Sequence, residues 1–167
     1  MLMSISLNDV KIRTTLQSGD IGYITYMHGV FHQKECGYGL SFESYVAEGL
    51  HEFYSVYNPE RERMWICEHN NKIIGSLLLM DRGEDIAQLR YFILEPEYRK
   101  IGLGKKLMDL FMQFLREKDY KRCYLWTTNE LKAAGALYKK YGFTLTEEKE
   151  TTDFGKLVTE QRYDLVL

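Results

Sequence analysis

The chain has little of what would set it apart from ordinary globular proteins. It carries two prolines, Pro59 and Pro96, and no tract rich in Pro, Gly or Ser, so nothing in it reads as an interdomain linker. No apolar run approaches the roughly 20 residues that a membrane-crossing helix needs. The start, Met1-Leu2-Met3-Ser4, lacks the basic stretch and apolar core of a secretory leader. Three cysteines (Cys36, Cys67, Cys123) are an odd count at wide spacings, and read as reduced thiols of a cytoplasmic protein rather than a disulfide framework. Charge of either sign is not in excess: a net −2 argues against a nucleic-acid binder. There is no internal repeat. With 167 residues, one domain spanning 1–167 around one core is expected.

What is present is a mixed pattern. Val10 to Thr15 reads as a first strand, and Asp20 as the cap of a helix bearing Ile24, Met27, His28 and Phe31 at helical spacing. Gly37-Tyr38-Gly39 breaks that helix, and Ser41 caps a second that ends before Pro59. Two strands, Met64 to Glu68 and Ile73 to Met80, flank a hairpin turn at Asn70-Asn71, and a third strand ends at Leu94. Leu103, Leu107, Phe111 and Phe114 predict an amphipathic helix. A short strand from Cys123, a helix closed by Gly142 and two final strands, 143–146 and 161–166, complete the chain, with a long polar connection between the last two. The fold class is α/β (α+β), a central sheet flanked by helices on both faces.

The segment Glu95-Pro96-Glu97-Tyr98-Arg99-Lys100-Ile101-Gly102-Leu103-Gly104-Lys105-Lys106 carries most information. Two glycines stand where a strand hands over to a helix. A helix start offers unpaired backbone N–H groups and the positive end of a dipole, and glycine lets that backbone close around an anion. Arg99, Lys100, Lys105 and Lys106 add positive charge. This reads as a seat for a pyrophosphate. It is not the nucleotide P-loop G-x-x-x-x-G-K-[ST], because Lys105 is followed by Lys106-Leu107 and no hydroxyl is left for magnesium.

Arg99-Lys-Ile-Gly102-Leu-Gly104 resembles the acyl-CoA signature [RQ]-x-x-G-x-[GA] of the GCN5-related N-acetyltransferases (GNAT). A second block, Ala134-Gly-Ala-Leu137-Tyr138-Lys-Lys-Tyr-Gly142-Phe143, is similar to the same family's later motif. The resemblance covers 64–166 best, and looks especially like the acetyltransferase half of bacterial MarR-type fusions. It implies a mostly antiparallel sheet of about seven strands with about four helices, and homodimers as a common assembly. It further implies an N-acyltransferase that uses acetyl-CoA as donor and an amine, small or on a protein, as acceptor.

By that resemblance, the backbone of Phe92, Ile93 and Leu94 pairs with the pantetheine arm, and the amides of Arg99, Lys100, Ile101, Gly102, Leu103, Gly104 and Lys105 hold the pyrophosphate. Tyr138 matches the tyrosine that protonates the leaving thiolate, a general-acid role. Asn129 stands in for a pantetheine-contacting Asn that many members place seven residues before the tyrosine, where this chain has Leu131. The base that takes the amine proton is expected among Glu84, Asp85 and Glu68, with Glu84 preferred. No metal is implied: His28, His32 and Cys36 share a helix stripe at zinc-like spacing but have no fourth ligand nearby, and read as a polar stripe that could flank the acceptor site. Trp126 is either sheet core or a wall beside the thioester. The alternative to an enzyme is a catalytically silent CoA sensor, which would need no acid at position 138.

Overall fold

The computed structural model describes residues 4–167, so Met1 to Met3, whose sequence lacks the features of a secretory leader, lie outside the described residues. Seven strands form one sheet in the order β1-β2-β3-β4-β5-β7-β6. They are β1 (Lys11–Arg13), β2 (Arg63–His69), β3 (Lys72–Asp81), β4 (Ile86–Leu94), β5 (Arg122–Thr128), β6 (Thr144–Thr151) and β7 (Val158–Val166). Every pairing is antiparallel except β4 with β5. Four α-helices, α1 (Asp20–Cys36), α2 (Leu40–Ser55), α3 (Leu103–Glu117) and α4 (Lys132–Lys140), complete the mixed α/β fold expected from the chain.

Strand alternation explains the two helical layers. Trp65, Cys67, Leu77 and Leu79 pack with Leu107 and Phe111 of α3. Their neighbours Met64, Ile66, Leu78 and Met80 pack with Ile24 of α1 and with Val46, Leu50 and Phe53 of α2. Central strands buried on both faces read as near-continuous apolar runs, as Ile73 to Met80 does. The β2–β3 turn is the expected one: Asn70 and Asn71 sit at φ 50° and 60°, the left-handed pair that a two-residue hairpin requires. Among the described residues, no helix is long and apolar enough to cross a membrane.

Three expectations change. Asp20 is the first residue of α1 rather than its cap; Gly19, at φ 98°, precedes it. The Asp20 carboxylate instead takes both Arg13 guanidinium nitrogens, at 2.8 and 2.7 Å, and Arg13 Nε also reaches Glu68 at 2.6 Å, so one arginine ties β1, β2 and α1 together. Ser41 does not cap α2, which starts one residue earlier, after Gly39. The long polar connection is mostly ladder: β6 and β7 pair from Thr144–Asp164 to Thr151–Val158. As an edge strand exposed almost throughout, β6 has no buried face to impose an apolar alternation.

Candidate active site

β4 and β5 run side by side over only three residue pairs, Ile86–Arg122 to Gln88–Tyr124. β4 then follows β3 as far as Leu94, while β5 follows β7 as far as Thr128. The two strands separate, and the edge of β4 from Leu89 onward faces a cleft with no strand beside it. A β-bulge lies at the point of separation: the register with β3 slips between Ser76 and Leu78, and Tyr91 adopts φ 50°. Such a conformation is rare for a bulky residue and persists only when the surroundings over-determine it. Here the Ser76 hydroxyl donates to the Tyr91 carbonyl at 2.7 Å. The bulge sends two consecutive side chains, Arg90 and Tyr91, toward the same helix. Both press on Gly49 of α2, where an added Cβ would lie 2.1 Å from the Tyr91 hydroxyl and 2.8 Å from Arg90 Nη2.

At the far end of β4 the chain turns through a short 3-10 segment, Pro96–Tyr98, into α3. Gly102 precedes the helix at φ 89°, a conformation that favours glycine, and no side chain caps the helix start. The Lys106 amide is the first to find a carbonyl, that of Gly102 at 3.0 Å. The amides of Lys100, Ile101, Gly102, Leu103, Gly104 and Lys105 have no partner among the described residues. That run of donors at a dipole's positive end can bind a polyanion. Arg99 does not join it: its amide donates to Pro96 at 3.2 Å, and its guanidinium pairs with Glu35 at 2.7 Å and donates to the Leu94 carbonyl at 3.1 Å. Lys105 Nζ is held by Asp109 at 2.9 Å. Gly104 is not conformationally required. A Cβ there would make only ordinary contacts, 3.7 Å from Leu137 and Phe92.

Tyr138 projects from α4 into the cleft's inner end. Its ring neighbours Phe92 of β4, with centroids 6.3 Å apart, and its hydroxyl has no hydrogen-bond partner among the described residues. Burial pushes its pKa up, so the phenol keeps its proton throughout the neutral range. Asn129 stands on the loop after β5 and is not among the residues lining the cavity beside Tyr138; its amide donates to the Thr159 carbonyl at 3.0 Å. Leu131, seven residues before Tyr138, is the residue that lines the cavity.

Beside Tyr138 the cleft widens into a cavity of about 150 Å³. Tyr38, Phe42, Tyr45, Tyr91, Trp126 and Phe154 supply aromatic walls, so Trp126 is a wall rather than sheet core. The β6–β7 loop folds over this cavity, with the Phe154 carbonyl accepting from the Gly39 amide at 2.8 Å. His28 and His32 line it too. Each donates its Nδ1 proton to the carbonyl one helical turn earlier, Ile24 at 2.8 Å and His28 at 3.0 Å, which leaves each Nε2 an unprotonated acceptor. Burial pulls the His28 pKa down to about 3 and lowers that of His32 as well, so both rings are neutral at neutral pH. Cys36 ends the same stripe as a buried free thiol, and no group of His, Cys, Asp or Glu among the described residues could hold a metal.

The structure does not bring the expected base to this place. Glu84 sits on the exposed β3–β4 turn at φ 51°, at the end of β4 where β5 is still paired. Five to seven strand residues, roughly 16–23 Å, separate it from the bulge. Asp85 beside it pairs with Arg61, and Glu68 with Arg13. Among the described residues, the one carboxylate lining the cavity is Glu160 of β7, partnered at 3.4 Å by Lys149, whose ammonium also covers the Trp126 ring. Glu160 escaped the sequence reading because β7 was expected to start one residue after it. Arg90 and the bulge escaped it because a non-glycine residue at positive φ leaves no mark in a sequence.

Comparison with known proteins follows the same outline. The profile of the acetyltransferase (GNAT) family matches residues 31–143. The uncharacterized N-acetyltransferase YjgM of Escherichia coli is 37% identical over 120 residues, 68% of this chain and 72% of that protein. An acetyltransferase from Streptococcus agalactiae has a similar fold, with a TM-score of 0.77 at 21% identity over 95% of this chain and 99% of that one. A GNAT family acetyltransferase from Elizabethkingia anophelis, solved with acetyl-CoA bound, gives a TM-score of 0.66 at 16% identity over 96% and 99%.

Proposed function

The chain belongs to the acetyltransferase (GNAT) family, and from that premise we propose that it transfers the acetyl group of acetyl-CoA to an amine by direct attack, without a covalent enzyme intermediate. The juxtaposition of six unpartnered amides at the start of α3, an open β4 edge and the Tyr138 hydroxyl at the end of that edge supports this reading most. The amides of Lys100 to Lys105 take the pyrophosphate. The backbone of Phe92, Ile93 and Leu94 pairs with the pantetheine amides as an added strand would. This order lays the thioester near Phe92 and Tyr138.

The chemistry then runs between Tyr138 and the cavity. An ammonium of pKa near 10 must lose a proton before it can attack. Glu160 draws the ammonium in and accepts that proton, directly or through water. The nitrogen adds to the thioester carbon, forming C–N, and a backbone N–H of the β4 edge stabilises the carbonyl oxygen as charge develops. The C–S bond breaks, sulfur leaves with the electron pair and the Tyr138 hydroxyl protonates it, while the proton that nitrogen still has to lose passes through water to the phenolate, leaving a neutral amide and restoring the phenol. A phenol kept protonated by burial is in the form this step needs.

Within the family, the similarity to the acetyltransferase half of bacterial MarR-type fusions is part of the same proposal, as are a bacterial, cytoplasmic setting and a homodimer. Three free cysteines, all buried, suit a reducing compartment. The test is free-thiol release from acetyl-CoA over a panel of amines, with calorimetry of acetyl-CoA binding alongside. Thiol release matched by N-acetylated product supports a transferase. Tight acetyl-CoA binding with no release under any acceptor would make the protein a CoA sensor instead.

A further inference from the structure

We propose that the acceptor is a zwitterionic amino acid with an apolar or aromatic side chain, and that Arg90 binds its carboxylate. The proposal rests on the transferase reading above for the fate of the amine, but not for the recognition itself.

Among the described residues, Arg90 is the one cation that lines the cavity. It is half-buried, and among the described residues no carboxylate lies within ion-pair distance of it. Its nearest companions are the rings of Tyr91, 4.8 Å from the guanidinium carbon, and Tyr45, at 5.6 Å, and the sulfur of Met80. Five other arginines, Arg13, Arg61, Arg82, Arg99 and Arg162, have carboxylate partners; Arg63, half-buried as well, lies over the Phe114 ring at 4.3 Å but does not line the cavity, so Arg90 is set apart by where it stands rather than by lacking a carboxylate. A guanidinium kept partly out of water and left unpaired is costly to the free protein, and its planar fork of donors matches a carboxylate. The Tyr91 hydroxyl beside Arg90 is buried against Gly49 and has no hydrogen-bond partner among the described residues. The covered Tyr91 hydroxyl offers nothing to the cavity, so the guanidinium of Arg90, set there by the bulge and met by no carboxylate, is the group that indicates an anionic group on the ligand.

The rest of the cavity limits what carries that anion. Among the described residues its lining holds one cation, Arg90, and one carboxylate, Glu160, with both imidazoles neutral; Lys149 already pairs Glu160 at 3.4 Å, so the charge left to be met is that of Arg90, and one carboxylate on the ligand meets it. A phosphate, with up to two negative charges, would face a single arginine and an opposing glutamate. The aromatic walls favour an apolar body on the ligand and attract its ammonium.

The experiment compares three amino acids, phenylalanine, tryptophan and leucine, with their decarboxylated amines, phenethylamine, tryptamine and isoamylamine. Binding is measured by calorimetry on protein saturated with CoA, where no turnover occurs, and turnover by thiol release from acetyl-CoA. At least one amino acid is expected to bind roughly 10- to 100-fold more tightly than its amine, the range of a charge-assisted hydrogen-bonded pair. Arg90→Gln should collapse that ratio toward one, and Arg90→Lys should restore part of it. Equal or tighter binding of all three decarboxylated amines, or a ratio unmoved in Arg90→Gln, would overturn the proposal while leaving the transferase standing. Selective binding of an amino acid with no thiol release would do the reverse. The comparison on the unaltered protein decides the matter even if the variants fold poorly.

Discussion

Gly49→Ala is an unusual helix substitution, because its two effects on stability have opposite signs and the structure says which is larger. Replacing glycine by alanine inside a helix stabilises it by about 1 kcal/mol. At this position, however, the new methyl group would sit 2.1 Å from the Tyr91 hydroxyl and within 3.0 Å of both terminal Arg90 nitrogens. The arginine tip can swing away. Tyr91 cannot do so readily, because the Ser76 hydroxyl holds its carbonyl at 2.7 Å and the His28 ring lies edge-on to it at 5.6 Å. Overpacking of this kind costs about 1–3 kcal/mol, so the net effect in the natural chain is a destabilisation of up to about 2 kcal/mol. Tyr91→Phe removes the clashing oxygen, and with it a buried hydroxyl that has no partner, so it should itself be neutral or stabilising. In that background Gly49→Ala should become stabilising by about 1 kcal/mol. Urea unfolding of the four proteins, followed by circular dichroism, measures the cycle, and a coupling of about 1–3 kcal/mol is expected. If Gly49→Ala stabilises both backgrounds equally, the bulge does not hold Tyr91 against α2 and the placement of Arg90 loses its footing.

Three more perturbations separate the parts of the site. Tyr138→Phe should lower turnover by about 10²- to 10⁴-fold with little change in acetyl-CoA affinity, and unchanged steady-state turnover would remove its role as acid. Gly102→Glu should abolish acetyl-CoA binding, whereas Gly102→Ala, which strains the backbone at φ 89° without adding charge, should only weaken it; equal calorimetric affinities across the series would exclude a phosphate at this turn. His28 makes stability fall in acid. Its folded pKa, lowered to about 3 by burial, lies below the usual value near 6.5, so the unfolded chain binds the proton first. The His28 contribution is fully present above pH 6.5 and declines between there and about pH 3, by about 2 kcal/mol at pH 5, and His28→Gln should flatten that part of the urea-unfolding profile.

How much of this could be read from the sequence divides along the line between donor and acceptor. The donor side is written in local chemistry. A turn that offers its amides needs a residue at positive φ, so Gly102 stands at the strand–helix junction, and the block that ends in Gly142-Phe143 carries Tyr138 to its place. The paired halves of the sheet were legible for the same reason, since burial on two faces leaves apolar runs such as Ile73 to Met80. The cavity proposed for the acceptor is lined from α1, α2, β4, β5, α4 and the β6–β7 loop and strand, and apart from the block on α4 none of these carries a motif of its own. Glu84 stands just before the key strand, but the cleft opens only after β5 parts from β4, several residues further on. Glu160 stands opposite Thr128 only once β7 is known to start at Val158, and the exposed edge strand β6 hid that boundary.

The seat of the donor can be tested residue by residue with amide resonances of the ¹⁵N-labelled protein during titration with acetyl-CoA. The account predicts the largest shifts, and new protection from solvent exchange, at the amides of Lys100 to Lys105, with a second group at Phe92 to Leu94 and the Arg99 amide moving less. Saturable binding that leaves the amides of 100–105 unmoved, or that perturbs a different face of the sheet, would contradict it.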